Sequence, residues 1–279
     1  MIMTKDKQKP KKTVFTIINL ATNKKNQLAV AKYAAHLASE LNLDVVLYPK
    51  ENHNLLFSNT KKNHRKILDI SRTIEHIVSV RTAKKESTLF SSIHDIATQE
   101  EADFIVIEVD KSVNVLGESM WKTTQGSRIP IILLPQNYEF VPFDRITIAV
   151  DRERKVQKIR VVTNLAKKFG SMVNIFIEKF EKQDNQVGEI ILAQIEKSLR
   201  KSSIPFKETH VRKDTKFLTR LCKFSAKHSD LLVIEVEPGK IDSVIKKNIE
   251  TLLAIQNYAQ PIPVILTKTK MSGHLQSFS

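Results

Sequence analysis

Residues 102–109 read ADFIVIEV, and residues 229–236 read SDLLVIEV. After a helix-length interval, each of these segments is followed by a short apolar run that starts with Ile-Pro: IPIILL at 129–134 and IPVIL at 262–266. The same pair of apolar segments therefore occurs twice in a chain of 279 residues. Self-similarity of this kind indicates duplicated structure, and it predicts two copies of one domain in tandem.

Each half of the chain alternates short apolar runs with helical patterns. A stripe such as Leu28, Ala31 and Ala35 indicates a helix with one buried face, and the pattern as a whole predicts β-α-β-α-β-α-β-α-β in each half. The runs predict strands at 14–20, 44–48, 76–81, 146–150, 172–177 and 206–211, with helices at 59–74 and 187–202. Continuously apolar strands separated by helices favour a parallel sheet. We therefore predict an α/β fold of two tandem doubly wound, Rossmann-like domains, each a five-stranded parallel sheet with helices on both faces.

The limits of the two domains follow from breaks in this pattern. Residues 136–143 (QNYEFVPF) contain a proline and no helical stripe, which is typical of a linker. We predict a flexible basic tail at 1–12, the first domain at 13–135, the second at 144–268 and a flexible C-terminal tail at 269–279. The last strands of the two domains, 131–134 and 264–266, are apolar, and apolar sheet edges favour pairing. They predict a pseudo-dimer of the two halves.

Charge and composition restrict the function. The formal net charge is +15, and residues 1–12 contribute five Lys against Asp6. Basic proteins favour anionic partners, yet lysines spread over helix faces more often serve solvation. We therefore expect nucleic-acid binding to be weak, non-specific and due largely to the tail, so nucleic acid is not the expected partner.

The compartment is expected to be the cytoplasm. No apolar run approaches the ~18 residues of a membrane span, the first twelve residues lack the apolar region of a secretory signal, and Cys222 is the single cysteine. One cysteine excludes an intrachain disulfide and a cysteine-based zinc site. No membrane partner is expected.

Motifs for catalysis and phosphate binding are absent from the sequence. There are six glycines, and none forms GxGxxG or GxxxxGK[ST], the loops whose bare backbone approaches phosphates. No GxSxG motif occurs, Cys222 lies in an apolar helical stripe typical of a buried thiol, and the histidines lack metal-ligand spacing. These absences favour a binding protein over an enzyme, although catalysis stays open.

The order of elements, the duplication and the Ile-Pro final strand resemble the universal stress protein family. The similarity runs through 13–135 and 144–268, and residues 117–135 (GESMWKTTQGSRIPIILLP) look like the family's closing helix and strand. This resemblance implies a five-stranded parallel sheet in each domain. It also implies pairing of the two domains across their last strands, within the chain as a pseudo-dimer, with a homodimer of chains as the further option.

ATP-binding members of the family resemble G-x2-G-x9-G-[ST] after the fourth strand and carry an Asp that closes the first strand. In the first half, Thr22 stands at the Asp position, Gly117 alone remains of the glycines, and Glu118 replaces the hydroxyl residue. The second half keeps Asp151 but lacks the Gly-Ser/Thr pair. A carboxylate at position 118 would suit a helix N-terminus and repel a phosphate. These four residues are the degenerate cofactor-binding pocket that the resemblance implies, and no cofactor is expected.

The sequence thus predicts a binding or regulatory protein of the stress response. It would act through a protein partner or a small ligand and would not bind ATP in the usual way. Two alternatives stay open. In one, the chain is a weak nucleotide-binding protein or ATP hydrolase in which Asp151 orients a ribose or base, although the same residue could simply cap the next helix. In the other, the chain associates with nucleic acid non-specifically through its basic surface.

Overall fold

The computed structural model describes residues 12–19, 23–50, 60–83, 93–109, 129–150, 159–178, 185–212, 217–236 and 262–268. The chain divides into two compact units, Met1–Val106 and Ile107–Ser279. The described residues contain ten strands and six helices.

The first unit is built on four strands in the order β3-β2-β1-β4. Its elements are β1 (Thr13–Asn19), α1 (Lys24–Leu41), β2 (Asp44–Lys50), α2 (Thr60–Ile74), β3 (Val80–Thr82), α3 (Ile93–Gln99) and β4 (Ala102–Val109). β1 pairs with β2, and β2 with β3, in parallel. β4 begins in the first unit, and its last three residues belong to the second.

The described residues of the second unit contain six further strands in the order β5-β10-β9-β6-β7-β8. Its elements are β5 (Ile131–Pro135), β6 (Arg145–Val150), α4 (Ile159–Phe169), β7 (Met172–Glu178), α5 (Asn185–Lys201), β8 (Phe206–Val211), α6 (Phe217–His228), β9 (Leu231–Val236) and β10 (Val264–Lys268). The strands from β6 to β10 pair in parallel. β5 runs antiparallel to β10, with Ile132 opposite Ile265.

The α/β class predicted from the sequence is therefore confirmed, as a mostly parallel sheet flanked by helices. The predicted pairing of the two Ile-Pro strands is also observed, as β5 against β10. The packing of the two halves as a pseudo-dimer stays a prediction. So do the predicted domain limits, including the linker at 136–143, which lies inside the second unit.

The helices α1 and α4 end in the same way. The backbone N–H of Leu43 donates to the carbonyl of Ala38 (2.8 Å), and that of Ser171 donates to Ala166 (2.9 Å). The residue between helix and strand is left-handed in both, Asn42 with φ 55° and Gly170 with φ 69°. Glycine and asparagine tolerate this conformation best. The local chemistry of the turn thus explains why both helices stop there.

One predicted strand overlaps the observed strand by only two residues. The sequence places a strand at 76–81, whereas β3 occupies Val80–Thr82. The N–H groups of Ile77 and Val78 donate to the carbonyl of Ile74, at 2.9 and 3.3 Å. These bonds close the end of α2 with a turn, so the apolar residues that suggested a strand are used by the helix terminus instead.

Residues 136–144, which we call the strap, join β5 to β6. The strap begins in a turn, where the N–H of Tyr138 donates to the Pro135 carbonyl at 3.2 Å. Phe143 is fully buried, its ring lies 4.9 Å from that of Phe169, and the Ser171 hydroxyl donates to its carbonyl. The strap is thus packed onto the end of α4 and the start of β7.

Candidate functional site

Open parallel sheets bind ligands beyond the carboxyl ends of their strands, where the strand order reverses. In the second unit this reversal lies between β6 and β9, which are neighbours. In the first unit it lies between β1 and β4. We call the side of the second unit's sheet where β6–β10 end the carboxyl edge, and the side where they begin the amino edge.

The four residues predicted for the pocket, Thr22, Gly117, Glu118 and Asp151, all lie outside the described residues. Their roles stay predictions. The structure does describe β1, which precedes Thr22, and β6, which precedes Asp151. The register of these two strands adds one residue that the sequence alone did not single out.

That residue is Asn19, the last residue of β1. The N–H of Asp44 donates to the carbonyl of Lys12 (3.2 Å), and the N–H of Met172 donates to the carbonyl of Asp144 (2.8 Å). These bonds show that β1 and β6 start at equivalent points. Counting in the sequence from these two starts then matches Asn19, three residues before Thr22, with Asp151, the residue that follows β6. The two units share little sequence here, so only the strand register could have found this match.

The carboxyl edge of the second unit carries two buried carboxylates. Glu178, the last residue of β7, and Glu235 on β9 are each 8% exposed. Their strands flank β6 on its two sides. Val173 on β7 and Leu231 on β9 both lie opposite Ile146 on β6. Glu178 comes five residues after Val173, and Glu235 comes four residues after Leu231. Because side chains alternate along a strand, the register places the two glutamates on opposite faces of the sheet.

The carboxyl end of β1 in the first unit leads into the first turn of α1. Asn23 caps this helix, since its Oδ1 accepts from the N–H of Asn26 at 2.9 Å. Asn26 and Gln27 are each only 2% exposed, and the Asn26 Oδ1 has no hydrogen-bond partner within the described chain. The turn has no acidic residue. Polar groups are thus buried at this helix start, where the dipole favours anions.

The described part of the chain offers little for catalysis. It contains no group of three or more His, Cys, Asp or Glu side chains placed to hold a metal ion. Burial raises the pKa of the Cys222 thiol to about 12, and the side chain is 2% exposed. A buried neutral thiol is a poor nucleophile, which fits the structural role expected for Cys222. None of the described helices is long and apolar enough to cross a bilayer.

Comparison with known proteins identifies the fold. No protein-family model matches the sequence, and no curated protein matches it. Three solved structures are similar over most of their length. A universal stress protein from Archaeoglobus fulgidus has a TM-score of 0.64 at 14% identity, covering 92% of this chain and 97% of that one. A Pseudomonas aeruginosa protein named as a universal stress protein has a TM-score of 0.59 at 12% identity, covering 92% and 93%.

The third is the cytoplasmic domain of a prokaryotic cation chloride cotransporter, with a TM-score of 0.50 at 10% identity and coverage of 91% and 95%. Identities this low establish the fold and nothing finer. The chain has the fold of universal stress proteins, as the resemblance in its sequence predicts.

Proposed function

We propose that this chain is a binding protein of regulatory function in the stress response, and that it does not bind ATP in the way of the ATP-binding universal stress proteins. The fold supports the first part of the proposal. The second part rests on the residues at the edge where a nucleotide would lie.

The observation that carries the proposal is the acidic carboxyl edge of the second unit. Glu178 on β7 and Glu235 on β9 are buried at the ends of the two strands that flank β6. A polyphosphate brought to this edge would meet carboxylates, and the chain has no glycine-rich loop to offset them with backbone N–H groups. Like charges close together in a partly desolvated site cost several kcal/mol at an effective dielectric of about 20. Neutral or cationic small ligands fit this edge better than ATP.

Calorimetry or thermal unfolding with Mg-ATP tests the proposal. A ligand at 100 times its Kd raises the free energy of unfolding by about 2.7 kcal/mol. We expect no measurable shift with Mg-ATP at micromolar concentration. A Kd below ~10 μM, about −7 kcal/mol of binding free energy, would contradict the proposal and favour the nucleotide-binding alternative.

The variant Asp151→Ala tests the nucleotide-binding alternative. If the wild type binds ATP and this variant does not, Asp151 contacts the nucleotide and the weak-binder alternative is correct. Native mass spectrometry of the purified protein then addresses the ligand. A co-purifying small molecule without phosphate would support the acidic-edge argument, whereas a co-purifying nucleotide would overturn it.

A further inference from the structure

Basic side chains gather at the amino edge of the second unit. Its three described helices α4, α5 and α6 each end in two basic residues: Lys167-Lys168, Arg200-Lys201 and Lys227-His228. A helix that joins two parallel strands runs back along the sheet, so its last turn lies where the next strand begins. All six side chains are exposed. The fold therefore collects on one edge residues that are far apart in the sequence.

The collected charges lie close together. The strands β9, β6, β7 and β8 are consecutive neighbours. Adjacent strands lie about 4.8 Å apart, so the amino ends of these four strands span about 15 Å. Right-handed crossovers place α4 and α5 on one face of the sheet and α6 on the other, and α4 contacts α5. The basic pairs thus border the strand ends from both faces.

The helix dipole alone does not explain this arrangement. Basic residues in a last turn stabilise a helix, and that effect would apply equally to the first unit. There, however, α1 and α3 have no basic residue in the last turn, and α2 has only Arg72. The concentration of positive charge is a property of the second unit.

Acidic side chains pair with only part of this charge. Asp230 is held at the edge by Arg145, whose N–H donates to it at 2.9 Å and whose guanidinium lies 3.6 Å away, and Glu139 and Asp144 of the strap are exposed. Arg200 pairs with Glu196 of its own helix at 3.2 Å. Within the described residues, no ion pair forms at four of the lysines: Lys167, Lys168, Lys201 and Lys227.

Half-buried aromatic rings accompany the lysines. The guanidinium of Arg200 lies over the ring of Phe206, 4.9 Å from its centre. The ring of Phe169, the residue after Lys168, has its centre 6.2 Å from the centre of the Phe140 ring in the strap. All three rings keep part of their surface accessible. Basic grooves combined with aromatic rings are typical of proteins that bind single-stranded nucleic acid, because every base can stack on a ring.

We infer that the amino edge of the second unit binds single-stranded nucleic acid, with the lysines on its phosphates and the half-buried rings beside its bases. The edge lies opposite the one at which doubly wound sheets take small ligands. The inference is therefore independent of the proposed function. It also replaces the sequence-based interpretation that lysines spread over helix faces serve solvation.

Fluorescence anisotropy with a labelled 20-nucleotide polyuridine tests the inference on the full chain. Three variants each replace four cations by Gln. The edge variant changes Lys167, Lys168, Lys201 and Lys227; the tail variant changes Lys5, Lys7, Lys9 and Lys11; the first-unit variant changes Lys24, Lys25, Lys32 and Arg65. Gln keeps the helix propensity of Lys, and circular dichroism checks each fold.

The wild type is expected to bind at 50 mM salt. The edge variant should raise Kd at least tenfold and reduce the slope of log K against log salt by about 0.7 for each phosphate that its side chains no longer neutralise. The other two variants should each raise Kd less than threefold. Equal losses in all three variants, a dominant loss in the tail variant, or no binding by the wild type would overturn the inference. Binding to phosphatidylserine vesicles that depends on the edge lysines, without oligonucleotide binding, would assign the edge to membranes instead.

Discussion

The two edges of the second unit's sheet differ in side-chain chemistry and in burial, since one carries buried acidic residues and the other exposed basic residues. At the carboxyl edge, Glu178 and Glu235 are buried. At the amino edge, residues such as Lys167 and Lys168 are exposed. Burying an ionised group has a large desolvation cost unless neighbouring groups compensate it, whereas an exposed lysine keeps its hydration.

This difference in burial separates residues that support the fold from residues that a partner can reach. Buried carboxylates are part of the fold's internal network, since Glu178 and Glu235 both interact with neighbouring groups. Exposed lysines contribute little to stability and stay accessible to a partner. We therefore expect substitutions of Glu178 and Glu235 to change folding and substitutions of the amino-edge lysines to change association. The strap is the exception, because it lies at the amino edge but is packed.

The largest effect is expected for the strap. Phe143→Ala removes a fully buried ring that contacts Phe140 and Phe169. Truncation of a buried Phe costs about 3–5 kcal/mol, and the free energy of unfolding in urea should fall by that amount. Val141→Ala, two residues away and 49% exposed, is the control and should change it by less than about 0.5 kcal/mol. Equal effects would mean that the strap is not packed.

A pair of charge reversals tests the comparison of the edges directly. Glu235→Lys places a new charge in a buried position and should lower the free energy of unfolding by about 3 kcal/mol. Lys168→Glu at the amino edge should lower it by less than about 1 kcal/mol, the size of the helix-dipole effect. Urea unfolding of the two variants measures both values. Similar losses at the two edges would contradict the distinction between a buried carboxyl edge and an exposed amino edge.

The fold could be predicted from the sequence because its signals are local. The repeated strand around Glu108 and Glu235, the apolar stripes and the Ile-Pro strands each specify an element over a few residues. The misplaced strand at 76–81 shows the limit of this reasoning. Ile77 and Val78 are suitable for a strand, and only the hydrogen bonds to Ile74 that end α2 assign them to a turn.

The candidate sites could be predicted only in part. The absence of glycine loops is visible in the sequence. The match of Asn19 with Asp151 is not, because it depends on the register of β1 and β6 against their neighbours. The basic amino edge depends on crossovers that bring Lys168, Lys201 and Lys227 together. Each pair alone looks like an ordinary helix end, so no local pattern could have predicted the surface.

The smallest expected effect concerns Tyr138 of the strap. Burial, and to a lesser degree the Asp230 carboxylate, raise its pKa from 10.0 to about 12. The unfolded chain therefore loses the phenol proton near pH 10 while the folded chain still holds it. The stability contribution of this group is complete below pH 10 and is lost as the pH rises towards 12.

Titration of tyrosine absorbance at 295 nm from pH 8 to 12.5 measures this pKa, with circular dichroism to show where the chain stays folded. The chain has four tyrosines, so the signal of Tyr138 is the difference between the wild type and Tyr138→Phe. Asp230→Asn should lower the pKa of Tyr138 yet leave it above 10, since burial is the larger cause. Asp103→Asn, which removes the partner of Lys12 at the start of β4, is the matched control and should leave it unchanged. A pKa near 10 in the folded wild type would mean that Tyr138 is open to water. The conclusion that the strap is packed would then be wrong.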